Sequence, residues 1–305
     1  LFPGTPMTTH RETMMVSNVS PARPSVPTLF DSHMHTPLCK HAVGEPEDYA
    51  ERALAEGLKG IIFTCHNPIP EGWAQQVRMS VAEFDTYVEI VNRAKAAYEG
   101  RLEILLGLES DFAPGMEPWL EELHGKADFH YILGSVHCHF AEYRERYFRS
   151  DLRAFQRQYF EHLAESAESG LFDCLAHPDL IRVVEFNAWD ADVLLDDIRR
   201  VLDRIAATGV AMELNTSGAL KGGHEVHPCE PMLREMKARE IPIVIGSDAH
   251  QPERVSDYFM PALSQLMKVG YDKISAFRGR ERYEVDLMDA LRSLTAPPSD
   301  GSEIQ

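Results

Sequence analysis

The sequence has little cysteine, no CxxC pair and no long apolar run. Its five cysteines are odd in number and widely spaced, whereas a disulfide-stapled secreted fold uses an even, closely spaced set. No stretch approaches the roughly 20 apolar residues of a membrane span, and the first residues lack the apolar core of a signal peptide. These absences exclude a disulfide scaffold and a membrane protein, and they predict a cytoplasmic protein with reduced thiols.

Positive charge is also scarce. The chain has 30 Lys and Arg against 48 Asp and Glu, a net charge of -18. Such a field disfavours a long nucleic acid as partner. It does not exclude a small anionic substrate, because bound metal ions can reverse the sign locally.

The chain has 305 residues, enough for one large domain with a deep core. Residues 1–28 are rich in Pro, Ser and Thr and predict a disordered leader, residues 296–305 predict a flexible tail, and residues 29–295 predict a single domain. The oligomeric state is left open.

Short apolar segments suited to buried parallel strands alternate with helical stretches through this domain. The predicted strands are Thr28–Asp31, Gly60–Thr64, Leu102–Leu108, Tyr131–Val136, Asp173–Ala176, Val210–Leu214 and Pro242–Gly246. Residues Lys273–Val285 predict an added hairpin. Seven strands alternating with helices indicate an α/β fold, either a doubly wound sheet or a closed barrel.

Residues of the metal-binding types follow these strands at six of their seven ends. Because the carboxyl ends of parallel strands meet at one face, we expect these side chains to converge. Seven histidines and two carboxylates suit Zn, Mn or Fe and exceed what one ion accepts, so two or three divalent ions are predicted. The predicted ligands are His33, His35, His41, His66, Glu109, His137, His177, Asp248 and His250.

Some other histidines and Cys65 are not among the predicted metal ligands. His139 follows His137 by two residues and is interpreted as a neighbour of the site. His224 and His227 lie in a Gly-rich loop and are interpreted as solvated, with substrate contact as the alternative. Cys65 precedes His66 and is interpreted as a buried thiol.

The motifs DSHMHTPLCKHAVG, CHNPIP, GLESDF, GSVH, LAHPDLIR, ELNTSG and IPIVIGSDAH follow one another between Phe30 and His250. At these residues the chain resembles the polymerase-and-histidinol-phosphatase (PHP) superfamily, and HTPLCKHAVG and HPDLIR resemble its histidinol-phosphatase branch. The resemblance implies a distorted seven-stranded (β/α)7 barrel of the PHP type, with three metals at the carboxyl ends of the strands.

Carried over to this chain, the resemblance sorts the ligands into three groups, and Glu109 bridges the first two. The first ion takes His33, His35, Glu109 and Asp248, the second takes Glu109, His137 and His177, and the third takes His41, His66 and His250. The family usually has Asp where this chain has Cys65. If that Asp orients His66, the third ion is bound more weakly here.

The resemblance also implies two phosphate contacts, Arg182 in HPDLIR and Lys221 after NTSGAL. Without the family, Arg182 reads equally well as a surface residue at a helix start. Asp248 is a candidate for handling a proton, in competition with its role as ligand.

We therefore predict a phosphate monoester hydrolase that uses a metal-bound hydroxide for in-line attack, with L-histidinol phosphate of histidine biosynthesis as substrate. The predicted partner is a small phosphorylated molecule, with no nucleic acid and no membrane. The alternatives are a PHP phosphoesterase for nucleotides or other small phosphates, a non-catalytic metal-binding module, and an amidohydrolase-type barrel. The intact ligand set argues against the second, and the absence of a Lys at a strand end argues against the third.

Overall fold

The computed structural model describes residues 28–70, 72–220 and 225–295. Nine strands and nine helices are assigned in these ranges. The strands are β1 (Phe30–Met34), β2 (Gly60–Phe63), β3 (Glu103–Asp111), β4 (Tyr131–Ser135), β5 (Cys174–Leu175), β6 (Ala211–Asn215), β7 (Ile243–Gly246), β8 (Lys273–Arg278) and β9 (Glu281–Asp286). The helices are α1 (Pro46–Ala55), α2 (Phe84–Ala97), α3 (Glu117–His124), α4 (Ala141–Tyr147), α5 (Leu152–Glu168), α6 (Ala191–Thr208), α7 (Glu230–Ala238), α8 (Phe259–Val269) and α9 (Leu287–Thr295).

The first seven strands form one parallel sheet in the order of the chain, β1 to β7. The sheet curls into a nearly closed barrel whose seam lies between β1 and the segment after β7. At this seam the His35 amide donates to the Ala249 carbonyl at 2.9 Å, and the Ala249 amide donates to the His33 carbonyl at 3.3 Å. The fold is therefore the predicted distorted seven-stranded barrel, and the doubly wound alternative is excluded.

Inside the barrel, the side chains of the strands are polar near the carboxyl ends of the strands and apolar toward the opposite end. Because successive strand residues alternate in direction, Leu105 and Glu109 of β3 share one face, as do Ala211 and Glu213 of β6. Leu105 and Ala211 belong to the small apolar cluster that fills the barrel. The polar residues on the same faces of these strands lie toward the carboxyl ends and contribute to the candidate metal centre.

The helices cover the outside of the barrel through apolar stripes. In α6 the buried residues include Leu194, Ile198 and Ile205, spaced for one helical face. Asp190 caps this helix by accepting from the amides of residues 192 and 193, and Gly209 ends it in the left-handed conformation at φ 74°.

The hairpin predicted at Lys273–Val285 is confirmed as the antiparallel pair β8–β9. Phe277 of β8 reaches the cluster inside the barrel, and its ring centroid lies 5.2 Å from that of Tyr131. Arg280 of the turn pairs with Asp173 at 2.9 Å. The hairpin thus closes the end of the barrel opposite the polar one.

None of the helices in the described ranges combines the length and apolar composition that a bilayer crossing requires.

Candidate metal centre

The four residues assigned to the first ion meet at the barrel seam. His33 and His35 face each other through Nε2 at 3.1 Å, and His35 Nε2 lies 3.1 Å from Asp248 Oδ1. Each of the two Nε2 atoms is 3.6 Å from Glu109 Oε2, and His33 Nε2 is 3.6 Å from Asp248 Oδ1. Two ligands at about 2.0–2.1 Å from a tetrahedral ion lie about 3.3 Å apart. These spacings therefore fit ligands of one shared ion.

The other oxygen of Glu109 faces the second group. Glu109 Oε1 lies 3.3 Å from His137 Nε2 and 3.0 Å from His177 Nε2. Glu109 is 1% exposed. A carboxylate with one oxygen toward each group has the geometry of a bridge between two ions.

The third group is looser and closer to solvent. The ring centroid of His41 lies 4.4 Å from that of His250 and 5.5 Å from that of His66. His66 Nδ1 also approaches Glu109 Oε2, at 2.8 Å. His41 is exposed and His250 is 26% exposed in its side chain, so this group forms the outer wall of the centre.

Backbone strain coincides with two of these positions. His177 has φ 26° and Asp248 has φ 54°, both in the left-handed region that residues with a side chain rarely adopt. Such conformations persist where the surroundings over-determine them, often at functional sites. Here they turn two side chains from strand ends into the centre.

The donor set fits divalent metal ions. Within the described ranges, several buried ring nitrogens and a carboxylate oxygen have no partner in hydrogen-bond geometry, although burial of an unsatisfied polar atom is costly. These atoms are His35 Nδ1, His66 Nδ1, Glu109 Oε2, His177 Nδ1 and His250 Nε2. Imidazole and carboxylate ligands suit Zn, Mn and Fe. Coordination would satisfy Glu109 Oε2, which sits between ring nitrogens.

Burial and the carboxylates shift the pKa values of the ligand histidines in opposite directions. Burial lowers the pKa of His66 to about 4 and that of His250 to about 2, so both imidazoles are neutral at pH 7, the form that binds metal. Burial also opposes the charged form of His33, but the carboxylates of Glu213, Asp248 and Glu109 outweigh it and raise its pKa.

Glu213 is a functional residue that the sequence reasoning missed. The sequence reading found no metal-type residue at the end of the sixth strand, yet β6 carries this buried carboxylate inside it. Glu213 Oε1 accepts from His33 Nδ1 at 2.7 Å, and Oε2 accepts from the His177 amide at 2.9 Å. A side chain on Gly246 would collide with the Glu213 carboxylate and with His33. The signal was available, since Glu213 is a charge inside a short apolar strand.

Asp111 is a second functional residue that the sequence reasoning missed. It lies two residues after Glu109 on the same face of β3, and its Oδ1 accepts from His137 Nδ1 at 2.7 Å. Its Oδ2 pairs with the fully buried Arg78 at 2.5 Å. Metal-binding histidines commonly donate their second N–H to a carboxylate, which fixes the ring. Asp111 and Glu213 supply that contact.

The centre opens into a cavity of about 260 Å³. Apart from the predicted ligands, the wall includes Val77, His139, Phe140 and Leu180. His139 is thus a neighbour of the site, as predicted.

Of the two predicted phosphate contacts, Arg182 lies within the described residues. Arg182 is buried, and it donates to Glu225 Oε2 at 3.1 Å and to the carbonyls of Glu225 and Val226 at 2.6 Å. Lys221 and His224 lie outside the described residues.

The interpretation of His227 as a solvated loop residue is wrong. His227 is 2% exposed, and its Nδ1 hydrogen bonds to Asp179 Oδ1. The loop residue is buried because Asp179, which also accepts from the Cys229 amide at 2.7 Å, offers a partner that the sequence does not place beside it.

Comparison with known proteins gives matches over most of the chain. The PHP domain family model matches residues 31–217. The chain is 38% identical over 263 residues to the probable histidinol-phosphatase of Deinococcus radiodurans, covering 83% of this chain and 98% of that protein. It is 29% identical to the histidinol-phosphatase of Bacillus subtilis, covering 72% of this chain and 93% of that protein.

Among solved structures, the fold is similar to that of the histidinol phosphate phosphatase of Lactococcus lactis in complex with Zn, L-histidinol and phosphate. The TM-score is 0.72 at 19% identity, covering 83% of this chain and 98% of that one. The fold, the converging ligand set and these matches lead to one assignment: the chain belongs to the PHP domain family, in the branch of the histidinol-phosphatases.

Proposed function

We propose that this chain is a metal-dependent phosphate monoester hydrolase that converts L-histidinol phosphate into histidinol and inorganic phosphate. The observation that carries the proposal is the convergence of seven histidines and two carboxylates: five of the histidines and both carboxylates line one small cavity, and His33 and His35 contact those carboxylates. The substrate is inferred from the histidinol-phosphatases to which the chain is similar. We place the activity in histidine biosynthesis in the cytoplasm.

Two or three divalent ions, Zn, Mn or Fe, would be held by the three ligand groups, the first two of which share Glu109. When bound, such ions neutralise phosphate oxygens and lower the pKa of a bound water so that it can attack phosphorus in line. The Zn complex of the Lactococcus lactis protein makes Zn the first metal to test.

Asp248 is proposed to handle a proton as well as to bind metal. Its Oδ1 faces His35, while its Oδ2 accepts from the Ser217 hydroxyl at 3.0 Å. The side chain is 10% exposed at the cavity wall. One oxygen is therefore available to metal while the other is held toward Ser217, a division that suits both roles.

Arg182 remains the proposed phosphate contact. Of its two anionic partners, Asp179 is buried at 3.6 Å, whereas Glu225 is 41% exposed in its side chain. A phosphate dianion can replace the exposed carboxylate, since either group offers two oxygens to the planar fork of Arg. Lys221 is proposed as a second basic contact on the resemblance alone.

The size and charge of the site favour a small cationic monoester. A cavity of about 260 Å³ is near the lower end of ligand pockets and suits one small molecule. The chain carries a net charge of -18, which attracts the ammonium group of histidinol phosphate and repels polyanions.

The test is phosphate release from L-histidinol phosphate beside sugar phosphates and nucleotides, with Zn, Mn or Fe supplied. We expect a preference of about a hundredfold or more in kcat/KM, roughly 2.7 kcal/mol, for histidinol phosphate. Glu109→Gln should abolish turnover. Glu103→Gln, at the other end of the same strand and paired with exposed Arg278, is the matched control and should keep it.

Broad or nucleotide-selective turnover would replace the substrate assignment with another small phosphate. No release from any small monoester by the metal-loaded protein would refute the phosphatase itself.

A further inference from the structure

A pair of buried thiols lies directly behind the first metal group. Cys39 and Cys65 are both 0% exposed. A ring nitrogen of His35 and the two sulfurs all lie within 4.8 Å of one another. The Nε2 of His35 faces Asp248 and Glu109, so the edge turned toward the sulfurs is the Nδ1 edge.

His35 lacks the oxygen partner that other histidines of the centre have. His33 Nδ1 contacts Glu213 at 2.7 Å, and His137 Nδ1 contacts Asp111 at 2.7 Å. In the described ranges, His35 Nδ1 makes no hydrogen bond of ordinary length and angle. The polar group beside it is the Cys65 sulfur.

The hydrogen bonds of Cys65 leave its sulfur ready to accept. The thiol donates to the Thr36 carbonyl at 3.6 Å, so its proton points away from His35. The Thr36 hydroxyl donates to the sulfur at 3.2 Å, which fixes the side chain. The Cys65 amide donates to the Tyr87 hydroxyl at 3.3 Å, and Tyr87 in turn donates to the Phe63 and Gly107 carbonyls. Cys65 is thus held on a rigid support.

We propose that Cys65 is a positioning residue for His35, whose Nδ1–H donates to the Cys65 sulfur while Nε2 faces the metal. In this chain a sulfur would take the place of the Asp that the family usually has before the histidine of the second strand, and it would act on the first metal group. The proposal rests on the proposed metal-dependent function. It assigns to Cys65 a role outside the coordination sphere, in contrast to a metal ligand or an inert core thiol.

The Co(II)-substituted protein separates a sulfur ligand from a sulfur neighbour. A thiolate bound to cobalt gives a strong near-ultraviolet charge-transfer band, whereas a thiol that contacts only a ligating histidine gives none. We expect wild type to lack this band and to show visible ligand-field bands that shift in Cys65→Ser. A charge-transfer band in wild type that Cys65→Ser loses would overturn the proposal in favour of direct ligation.

Metal affinity distinguishes positioning from inert packing. We expect Cys65→Ala to bind Zn about 10–100-fold more weakly in chelator competition, the usual cost of losing such a partner. Cys65→Asp should restore or exceed wild-type affinity, because a carboxylate is a stronger acceptor than a thiol. Cys174→Ala is the matched control, since Cys174 is another buried thiol of the barrel, and it should bind Zn like wild type.

Two controls separate the metal-affinity result from misfolding of a variant and from the identity of the substrate. Circular dichroism of each apo-protein checks the fold, and Cys65→Ser and the wild-type cobalt spectrum remain informative if Cys65→Ala does not fold. Equal Zn affinity in wild type and folded Cys65→Ala would refute the positioning role. Because metal binding is measured without substrate, failure of histidinol phosphate as a substrate leaves this result unaffected.

Discussion

Glu213 holds His33 from inside β6, so its charge can be removed with little change of shape. We expect Glu213→Gln to retain Zn about 10–100-fold less well and to lose phosphatase activity by a similar factor. The reason is that a neutral amide oxygen is a weaker acceptor for His33 Nδ1–H than a carboxylate oxygen. Chelator competition and kcat/KM measure the two effects.

Glu281→Gln is the control for this substitution, since Glu281 is exposed on β9 at the other end of the molecule. It should match wild type in both measurements. If Glu213→Gln retained Zn and activity in full, Glu213 would be a structural residue of the strand and not part of the metal centre.

The sequence predicted the nine candidate ligands because they follow apolar runs, where the topology of a parallel sheet gathers them. It could not predict the partners of Glu213 and Asp111 or the burial of His227, because each depends on which side chain faces it across the barrel. Glu213 meets His33 over a separation of 180 residues. No local pattern encodes such a pairing.

At the scale of a secondary-structure element, the N-terminus of α6 offers a separable test. Asp190 accepts from two backbone amides that would otherwise lack partners. We expect Asp190→Ala to lower the free energy of unfolding by about 1 kcal/mol, measured by urea denaturation. Asp196→Ala, at a side chain 98% exposed on the same helix, should change it far less.

A loss as large in Asp196→Ala would show that the charge of the helix, and not the cap, sets its stability.

The helix and strand positions themselves were largely predictable from apolar periodicity and from Gly209 as a stop. Strand ends were not: β3 runs on to Asp111 and β1 to Met34, beyond the apolar runs that predicted Leu102–Leu108 and Thr28–Asp31. Among the polar residues that continue the pairing there, His33, Glu109 and Asp111 each have a buried partner.

For the whole molecule, the seam between β1 and β7 links the metal centre to stability. The seam has backbone bonds at Ala249 and the buried Asp31, which accepts from the amides of Ser247 and Ser256 at 2.9 Å. Ions held by His33 and His35 on one side and Asp248 on the other would join the two edges. We expect chelation to lower the melting temperature and to speed amide hydrogen exchange in β1 and β7 more than in β3 and β4.

Ligand linkage sets the scale: free Zn at a hundred times its Kd adds about 2.7 kcal/mol of stability. Restoring Zn should reverse both changes. Uniform acceleration of exchange in all strands would contradict a local role at the seam. The alternation of strands and helices left a doubly wound sheet and a barrel open, because the two differ in which strands become neighbours, and the family resemblance was needed to predict the barrel.

The seam also fixes when the site can form during synthesis. His33 and His35 leave the ribosome with the first barrel strand, whereas Asp248 and His250 follow the seventh. A nascent chain therefore carries an incomplete ligand set until nearly the whole barrel has emerged. The centre forms late, when the cavity wall that surrounds it is already in place.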